Sequence, residues 1–356
     1  MSRPLHQPAR TTPLAAPAEL VRALPLSERG RARTEAARQE IRDVLHGRDA
    51  HRLLVLVGPC SIHAPGGALQ YARQLAKLAD ATRDALVVVM RTYFDKPRTT
   101  TGWKGLIRDP YLDGSGELEI GLRTARRLLC EVGDLGLACG TELLDPLAVP
   151  YLQDGLAWGV IGARTSESQT HRDLASGMAM PIGFKNGVRG ELSVAHDALV
   201  AASQPAAYVG LAEDGRPAVI RTHGNPDLHL VLRGGDTPNH GPEHVQRALA
   251  PLAGWPGRPL VIDCSHGNSG KDHARQADAL RSALAQYAAG EARISGVMLE
   301  SYLKEGRQSL QPGGTPDPTV SVTDACIGWE ETERLLYEAA ATVRSRAGLR
   351  AAGGHG

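Results

Sequence analysis

Eight short apolar runs in this chain each end on, or within a few residues of, a side chain able to do chemistry: Cys60, Arg91, Glu142, Arg164, Lys185, Arg233, His266 and Glu300. One such residue would be an ordinary solvated loop charge, but eight in succession point to a shared site. The set divides by chemistry. Arg91, Lys96, Arg98, Lys104, Arg164, Lys185 and Arg233 are cations that Glu142 alone does not balance. Their natural occupant is a multiply charged anion, because the arginine fork matches phosphate and carboxylate oxygens bidentately. Cys60, His266, Glu300 and Asp324 offer a thiolate, an imidazole and two carboxylates, a mixed set suited to a divalent transition metal. These four are dispersed along the chain, so only the fold can bring them together; a buried Cys60 and a hydrogen-bonded His266 without metal are the plainer alternative. Of 40 basic residues only six are lysines, at positions 77, 96, 104, 185, 271 and 304. Where so arginine-biased a chain keeps lysine in polar, glycine-containing segments, as at 96, 104 and 185, a compact and movable ammonium is implied.

The elements that must position these residues read as alternating strands and helices. Strands are expected at LLVLV (53–57), LVVVM (86–90), LACGT (137–141), GVIGA (159–163), PIGF (181–184), HLVL (229–232), PLVID (259–263) and SGVML (295–299), with helical stretches between most of them. Continuous apolar strands imply burial on both faces, as in a parallel sheet. Eight of them alternating with helices predict an α/β fold of the (β/α)8 TIM-barrel type, whose strand ends converge on one face. A doubly wound open sheet is the rival, but no GxGxxG follows the first strand. Residues 207–222 read as a β-hairpin across Asp214 and Gly215, inserted between barrel strands five and six. Residues 1–30, rich in Pro and Ala, are expected to be a flexible arm, residues 31–346 the catalytic barrel with its leading helix at 31–46, and residues 347–356 a disordered tail.

Composition narrows the class. With 356 residues, 42% hydrophobic and 22% charged, the chain can bury a sizeable core. Its net charge of +1 gives no global field toward nucleic acid or an anionic membrane, so neither is expected as a partner. The apolar runs are far shorter than the roughly 20 residues of a membrane span. Five cysteines without CxxC spacing, and an N-terminus without a signal-like apolar core, suggest a reduced, cytoplasmic protein.

Nine blocks in order carry a family resemblance: GPCSIH, MRTYFDKPRTTTGWKGLIRDPYLDGS, GTELLD, GARTSESQTHRDLASG, GFKNG, HLVLRGG, DCSHGNSGKD, VMLESYLKEGRQ and SVTDACIGWEET. From about residue 30 to 340 the chain resembles class I 3-deoxy-7-phosphoheptulonate synthase, of the subtype regulated by aromatic amino acids. The resemblance implies a (β/α)8 transferase that uses one divalent metal ion (Mn, Co, Fe(II) or Zn). It condenses phosphoenolpyruvate with erythrose 4-phosphate and so opens the shikimate route to chorismate and the aromatic amino acids. It implies a homo-oligomer, dimer or tetramer. Cys60, His266, Glu300 and Asp324 would be the metal ligands. Arg91, Lys96, Glu142, Ala163 through its amide, Arg164, Lys185 and Arg233 would surround phosphoenolpyruvate, with Lys104 near its phosphate. Arg98 and Thr99 would hold the phosphate of the aldose. Lys96 is the expected general acid, its pKa lowered by neighbouring cations. A related synthase acting on arabinose 5-phosphate shares this logic, but KPRTTTGWKGL resembles the erythrose branch; a non-catalytic phosphometabolite-binding protein is the reading from another class.

Two departures from the family pattern, Ala64 after SIH and GFKNGVRGE, touch no expected ligand. A third concerns regulation. The stretch after GTELLD and the loop before PIGFKN form the effector pocket of regulated members, and here they contain Pro146, Pro150 and Ala179, the last where those members carry a serine. Weak or absent feedback inhibition is therefore expected, as in an enzyme serving specialised aromatic metabolism.

Overall fold

In the computed structural model, which describes residues 11–311 and 314–353, eight strands close into a barrel. They are β1 (Leu53–Gly58), β2 (Leu86–Arg91), β3 (Ala138–Glu142), β4 (Trp158–Ile161), β5 (Ile182–Lys185), β8 (Leu228–Leu232), β9 (Leu260–Asp263) and β10 (Ile294–Glu300). Every barrel pairing is parallel and each strand lies beside its neighbour in sequence, with β10 returning to β1. The hairpin stands apart as a two-stranded antiparallel sheet, β6 (Ala207–Leu211) and β7 (Pro217–Arg221), turning at Gly215. Helices α3 (Pro65–Ala81), α4 (Leu118–Asp134), α5 (Gln169–Ser176), α6 (Ser193–Ala202), α7 (Pro242–Leu249), α8 (Gln276–Ala288) and α9 (Trp329–Gly353) make the crossovers and the outer layer. Among the described residues no helix is long and apolar enough to cross a membrane.

The alternation of side chains along a strand decides what the barrel presents. Leu53, Val55 and Val57 of β1, with Leu86, Val88, Ile182 and Leu260, belong to the large core shared with the helices. Leu54, Leu56, Val87, Val89, Ala138, Trp158, Val160, Val231, Val261 and Met298 form a separate cluster, the barrel interior. Trp158 is the largest side chain there and is fully buried; it fits because Gly183 faces it, where a Cβ would lie 2.7 Å from Val231 and 3.2 Å from the indole. Following the inward-facing positions to the carboxyl ends of the strands leads to Arg91, Glu142, Lys185, Arg233, Asp263 and Glu300. Apolar layers thus fill the lower barrel and a charged layer tops it.

The opposite mouth is stoppered by α2 (Glu28–Leu45), whose Ala37, Ile41, Val44 and Leu45, at helical spacing, join the interior cluster. Ser27 caps this helix, its hydroxyl accepting from the Gly30 amide at 3.0 Å. The segment expected as an irregular arm contains a further helix, α1 (Pro17–Ala23), with proline at its first turn and Leu20 buried. The Ala18 amide donates to Glu213 O of the hairpin at 3.0 Å, and Tyr151 donates to Ala15 O at 2.7 Å. Proline and alanine here start and fill a short docked helix. Residues 1–10 of that expected arm lie outside the described residues. At the other end α9 continues through Gly353, across most of the stretch expected as a tail; residues 354–356 lie outside the described residues.

Candidate active site

At the carboxyl ends of the strands opens a cleft of about 510 Å³. Its wall on one side is the loop after β2, whose base is pinned by the Lys96 amide donating to Lys104 O at 2.9 Å. Phe94, just before the loop, is buried in the core and anchors it. This loop contributes Lys96, Arg98 and Thr99; β3 contributes Glu142; the loop after β4 contributes Ala163 and Arg164. Lys185, Arg233, His266 and Asp324 complete the set, so ten of the residues expected from sequence line one cavity. Arg164 Nη2 reaches Thr99 Oγ1 at 3.5 Å, joining two of its walls.

Cys60 and Glu300, both fully buried, lie at its floor. A donor atom from each of Cys60, Glu300 and Asp324 falls within 4.8 Å of the others. His266 joins them through Glu300, its Nε2 lying 3.6 Å from Oε1. Glu300 is oriented by Ser265, whose hydroxyl donates to Oε2 at 3.0 Å, and by Arg91, whose Nη2 donates to Oε1 at 3.0 Å. His266 has φ 55, a left-handed conformation that costs a non-glycine residue about 1 to 2 kcal/mol and is held where a site needs it. Its Nδ1 lies 3.0 Å from Asp263 Oδ2, without the alignment of a hydrogen bond.

Two expected residues sit elsewhere. Arg91 is 1% exposed and does not line the cleft. It lies beneath, ion-paired with Glu300 and stacked 3.9 Å from the Tyr93 ring centre, so it supports the floor. Lys104 is exposed and also outside the lining; its backbone carbonyl pins the base of the loop. Three contributors went unassigned from sequence. Asp263 is fully buried and takes the Lys185 ammonium at 2.8 Å. Lys271 and Asp236 line the cleft. A carboxylate closing the apolar run PLVID was the available signal for Asp263.

The electrostatics follow from these contacts. Burial alone would raise the Glu300 carboxyl, but His266, Arg91 and Lys96 prevail and lower it to about 2. Asp263 is likewise held well below the usual carboxylate range, because His266, Lys185 and Arg91 outweigh its burial. Burial and Glu300 push the Cys60 thiol up to about 11, opposed by Lys96. For Lys96 the structure reverses the expectation. Burial acts to lower its pKa, but Nζ donates to Cys60 O and Sγ, both at 3.0 Å, and Cys60, Glu300 and Asp324 together raise it. The other cations of the cleft do not govern it.

The donor set fits a divalent transition ion. It is soft at Cys60 and hard at Glu300 and Asp324, and Asp263 lies against the imidazole in the manner of an outer-shell carboxylate. Burial keeps the Cys60 thiol protonated, and a bound cation would reverse that by stabilising the thiolate.

Comparison with known proteins agrees with this geometry. The model of the DAHP synthetase I family matches residues 28–337. The chain is 50% identical over 327 residues to the Tyr-sensitive phospho-2-dehydro-3-deoxyheptonate aldolase of Escherichia coli K12, covering 91% of this chain and 92% of that protein. It is 46% identical over 337 residues to the Phe-sensitive enzyme of the same organism, covering 94% and 96%. The solved structure of phospho-2-dehydro-3-deoxyheptonate aldolase from Francisella tularensis SCHU S4 superposes with a TM-score of 0.91 at 40% identity, over 96% of this chain and 99% of that one. With a closed parallel barrel, a charged layer at its strand ends and these relatives along nearly its whole length, the chain belongs to the DAHP synthetase I family.

Proposed function

We propose that the cleft joins phosphoenolpyruvate to erythrose 4-phosphate, giving a seven-carbon 3-deoxy sugar-acid phosphate and inorganic phosphate. One observation carries the reading: the cations Lys96, Arg98, Arg164, Lys185, Arg233 and Lys271 line a single cavity with the carboxylates Glu142, Asp236 and Asp324, and together with Arg91 beneath they still outnumber those three plus the buried Asp263 and Glu300 of the floor. Two phosphorylated substrates, one with a carboxylate as well, need that excess of positive charge. Arg164, Lys185 and Arg233, with the Ala163 amide and Glu142, surround the enol phosphate. Arg98 and Thr99, at the mouth of the loop, hold the aldose phosphate.

In the reaction C3 of phosphoenolpyruvate attacks the aldehyde carbon, its double-bond electrons forming the new C–C bond. The aldehyde oxygen takes up a proton and becomes a hydroxyl. Water adds at C2 and gives up one proton; the new C2 hydroxyl then gives its second proton to the departing group as the C2 carbonyl forms, the bond from C2 to the bridging oxygen breaks, and phosphate leaves. Lys96, whose ammonium lies against Cys60 at the floor, holds the proton for the aldehyde oxygen. A divalent cation held by Cys60, His266, Glu300 and Asp324, whether Mn, Co, Fe(II) or Zn, would supply Lewis-acid polarisation of that oxygen. The remaining work of the chain is to bind two anions side by side in one orientation.

The test is an assay of the purified protein for phosphate release. Release is expected to require both phosphoenolpyruvate and erythrose 4-phosphate, to stop with EDTA and to resume with added metal, while arabinose 5-phosphate supports little. Phosphate released without an aldose, or undiminished after EDTA, would overturn the reading.

A further inference from the structure

Behind Lys185, Arg233 and His266 lie three buried asparagines that the reaction as described does not use: Asn186, Asn239 and Asn268, exposed by 0%, 8% and 2%. They come from the loops after β5, β8 and β9. Asn239 is the link. Its Oδ1 accepts from the Gly234 amide at 2.7 Å, its own amide donates to Asn268 Oδ1 at 2.7 Å, and its Nδ2 donates to Asn186 Oδ1 at 3.3 Å. Asn186 Oδ1 also accepts from the Arg233 amide at 2.8 Å, and its Nδ2 donates to Gly187 O and Gly234 O, both at 2.9 Å. Asn268 Nδ2 donates to Leu232 O at 3.1 Å and Asp263 O at 2.8 Å. Arg233 O accepts from the Gly267 amide at 3.0 Å.

The backbone amides of Arg233 and Gly234 are therefore both held by side-chain amide oxygens. Gly234 follows at φ +73, packed so closely that a Cβ would lie 2.4 Å from the Asn268 nitrogen. That leaves the chain one path, and Arg233 leaves it into the cleft. We propose that Asn239 is a positioning residue for the anion site: it fixes residues 233 and 234 so that Arg233 meets bound phosphoenolpyruvate without reorganisation. This rests on the reading of the cleft given above.

The experiment is a double-mutant cycle on the full chain with metal supplied, using wild type, Asn239→Ala, Arg233→Ala and the double variant. Phosphoenolpyruvate binding is followed by calorimetry, kcat and KM by steady-state kinetics, and unfolding by temperature. Asn239→Ala is expected to raise the Kd and KM for phosphoenolpyruvate about tenfold, equal to about 1.4 kcal/mol, with kcat changed less than about twofold. In the Arg233→Ala background the same substitution is expected to add less than about twofold, since the group it positions is gone. Asn239→Asp keeps the acceptor for the Gly234 amide but sets an oxygen against Asn186 Oδ1, and gives the same cycle should the alanine variant not fold. A full tenfold effect in both backgrounds, or a lowered melting temperature with unchanged affinity, would show a merely structural role and overturn the proposal. A wild type that binds no phosphoenolpyruvate overturns the reading of the cleft, and this inference with it.

Discussion

Replacing Asp263 by asparagine removes one negative charge from beneath the cleft while leaving its shape almost unchanged. The asparagine Oδ1 can still accept from the Ser265 amide, now at 3.0 Å from Asp263 Oδ1. What is lost is the counter-charge of Lys185, 2.8 Å from Asp263 and 5% exposed, and the charge beside His266 Nδ1. At that separation and an effective dielectric of about 20, the gross attraction to Lys185 is about 6 kcal/mol. Desolvation of the carboxylate offsets part of it, and removing one partner of a buried pair typically costs about 3 to 5 kcal/mol, because the other charge is stranded. Asp263→Asn should therefore lower the unfolding free energy by about 3 to 5 kcal/mol, seen as a lower urea midpoint, with and without metal. Lys185 and His266 both lose the group that fixes them, so kcat/KM should fall by about a hundredfold. Equilibrium unfolding and steady-state kinetics on one preparation measure both. A variant within about 0.5 kcal/mol of wild type, the size of an ordinary surface change, with phosphoenolpyruvate affinity intact, would refute the assignment of Asp263 as the charge that organises the floor.

Three further outcomes are expected. Cys60→Ala removes the softest donor of the proposed metal set and should weaken metal retention on dialysis at least about tenfold, read as metal content per chain; stoichiometric retention would exclude Cys60 as a ligand. His229 is fully buried under the site, its Nε2 accepting from Trp158 Nε1 at 3.0 Å, and burial lowers its pKa to about 4. An imidazole depressed in the folded state gives full stability above the unfolded value of 6.5 and loses it as pH falls toward 4, by about 3 kcal/mol. His229→Gln keeps an acceptor for Trp158 and should flatten the pH dependence of unfolding across that window; an unchanged slope would count against it. Finally, a cavity of about 510 Å³ beside the barrel is lined by Pro146, Pro150 and Met178 together with the hairpin and α1. If this cavity is the effector pocket that the family resemblance implies, alanine at 179 offers no hydroxyl, and an effector ammonium or carboxylate would lack one hydrogen bond worth about 1.5 to 3 kcal/mol. Inhibition by Phe, Tyr or Trp should be weak, and micromolar inhibition in the condensation assay, tested with tyrosine first, would contradict that.

The barrel was legible because its strands are unbroken apolar runs and a chemically capable residue closes each of them. The observed strands fall within one residue of most of the runs read from sequence. The hairpin was legible from Asp214-Gly215, whose glycine takes φ +80. Helix α1 was not, because Pro17 and its alanines look like linker until the hairpin and Tyr151 are seen to hold them. Ten members of the cleft could be read from local sequence, but their electrostatics could not. Lys96 is a cation among cations along the chain and a cation among anions in space, since Glu300 arrives from β10 and Asp324 from the loop beyond it. Arg91 shows the same limit: its place at a strand end was clear, whereas its turn downward onto Glu300 depends on which residue faces it across β1.

The most direct measurement follows the bridging oxygen of phosphoenolpyruvate. With ¹⁸O between C2 and phosphorus, erythrose 4-phosphate and metal present, the purified protein should form a seven-carbon phosphate ester and one equivalent of inorganic phosphate, and mass spectrometry should find the label entirely in the phosphate. Label retained in the sugar product, or phosphate released with no seven-carbon product, would contradict the account.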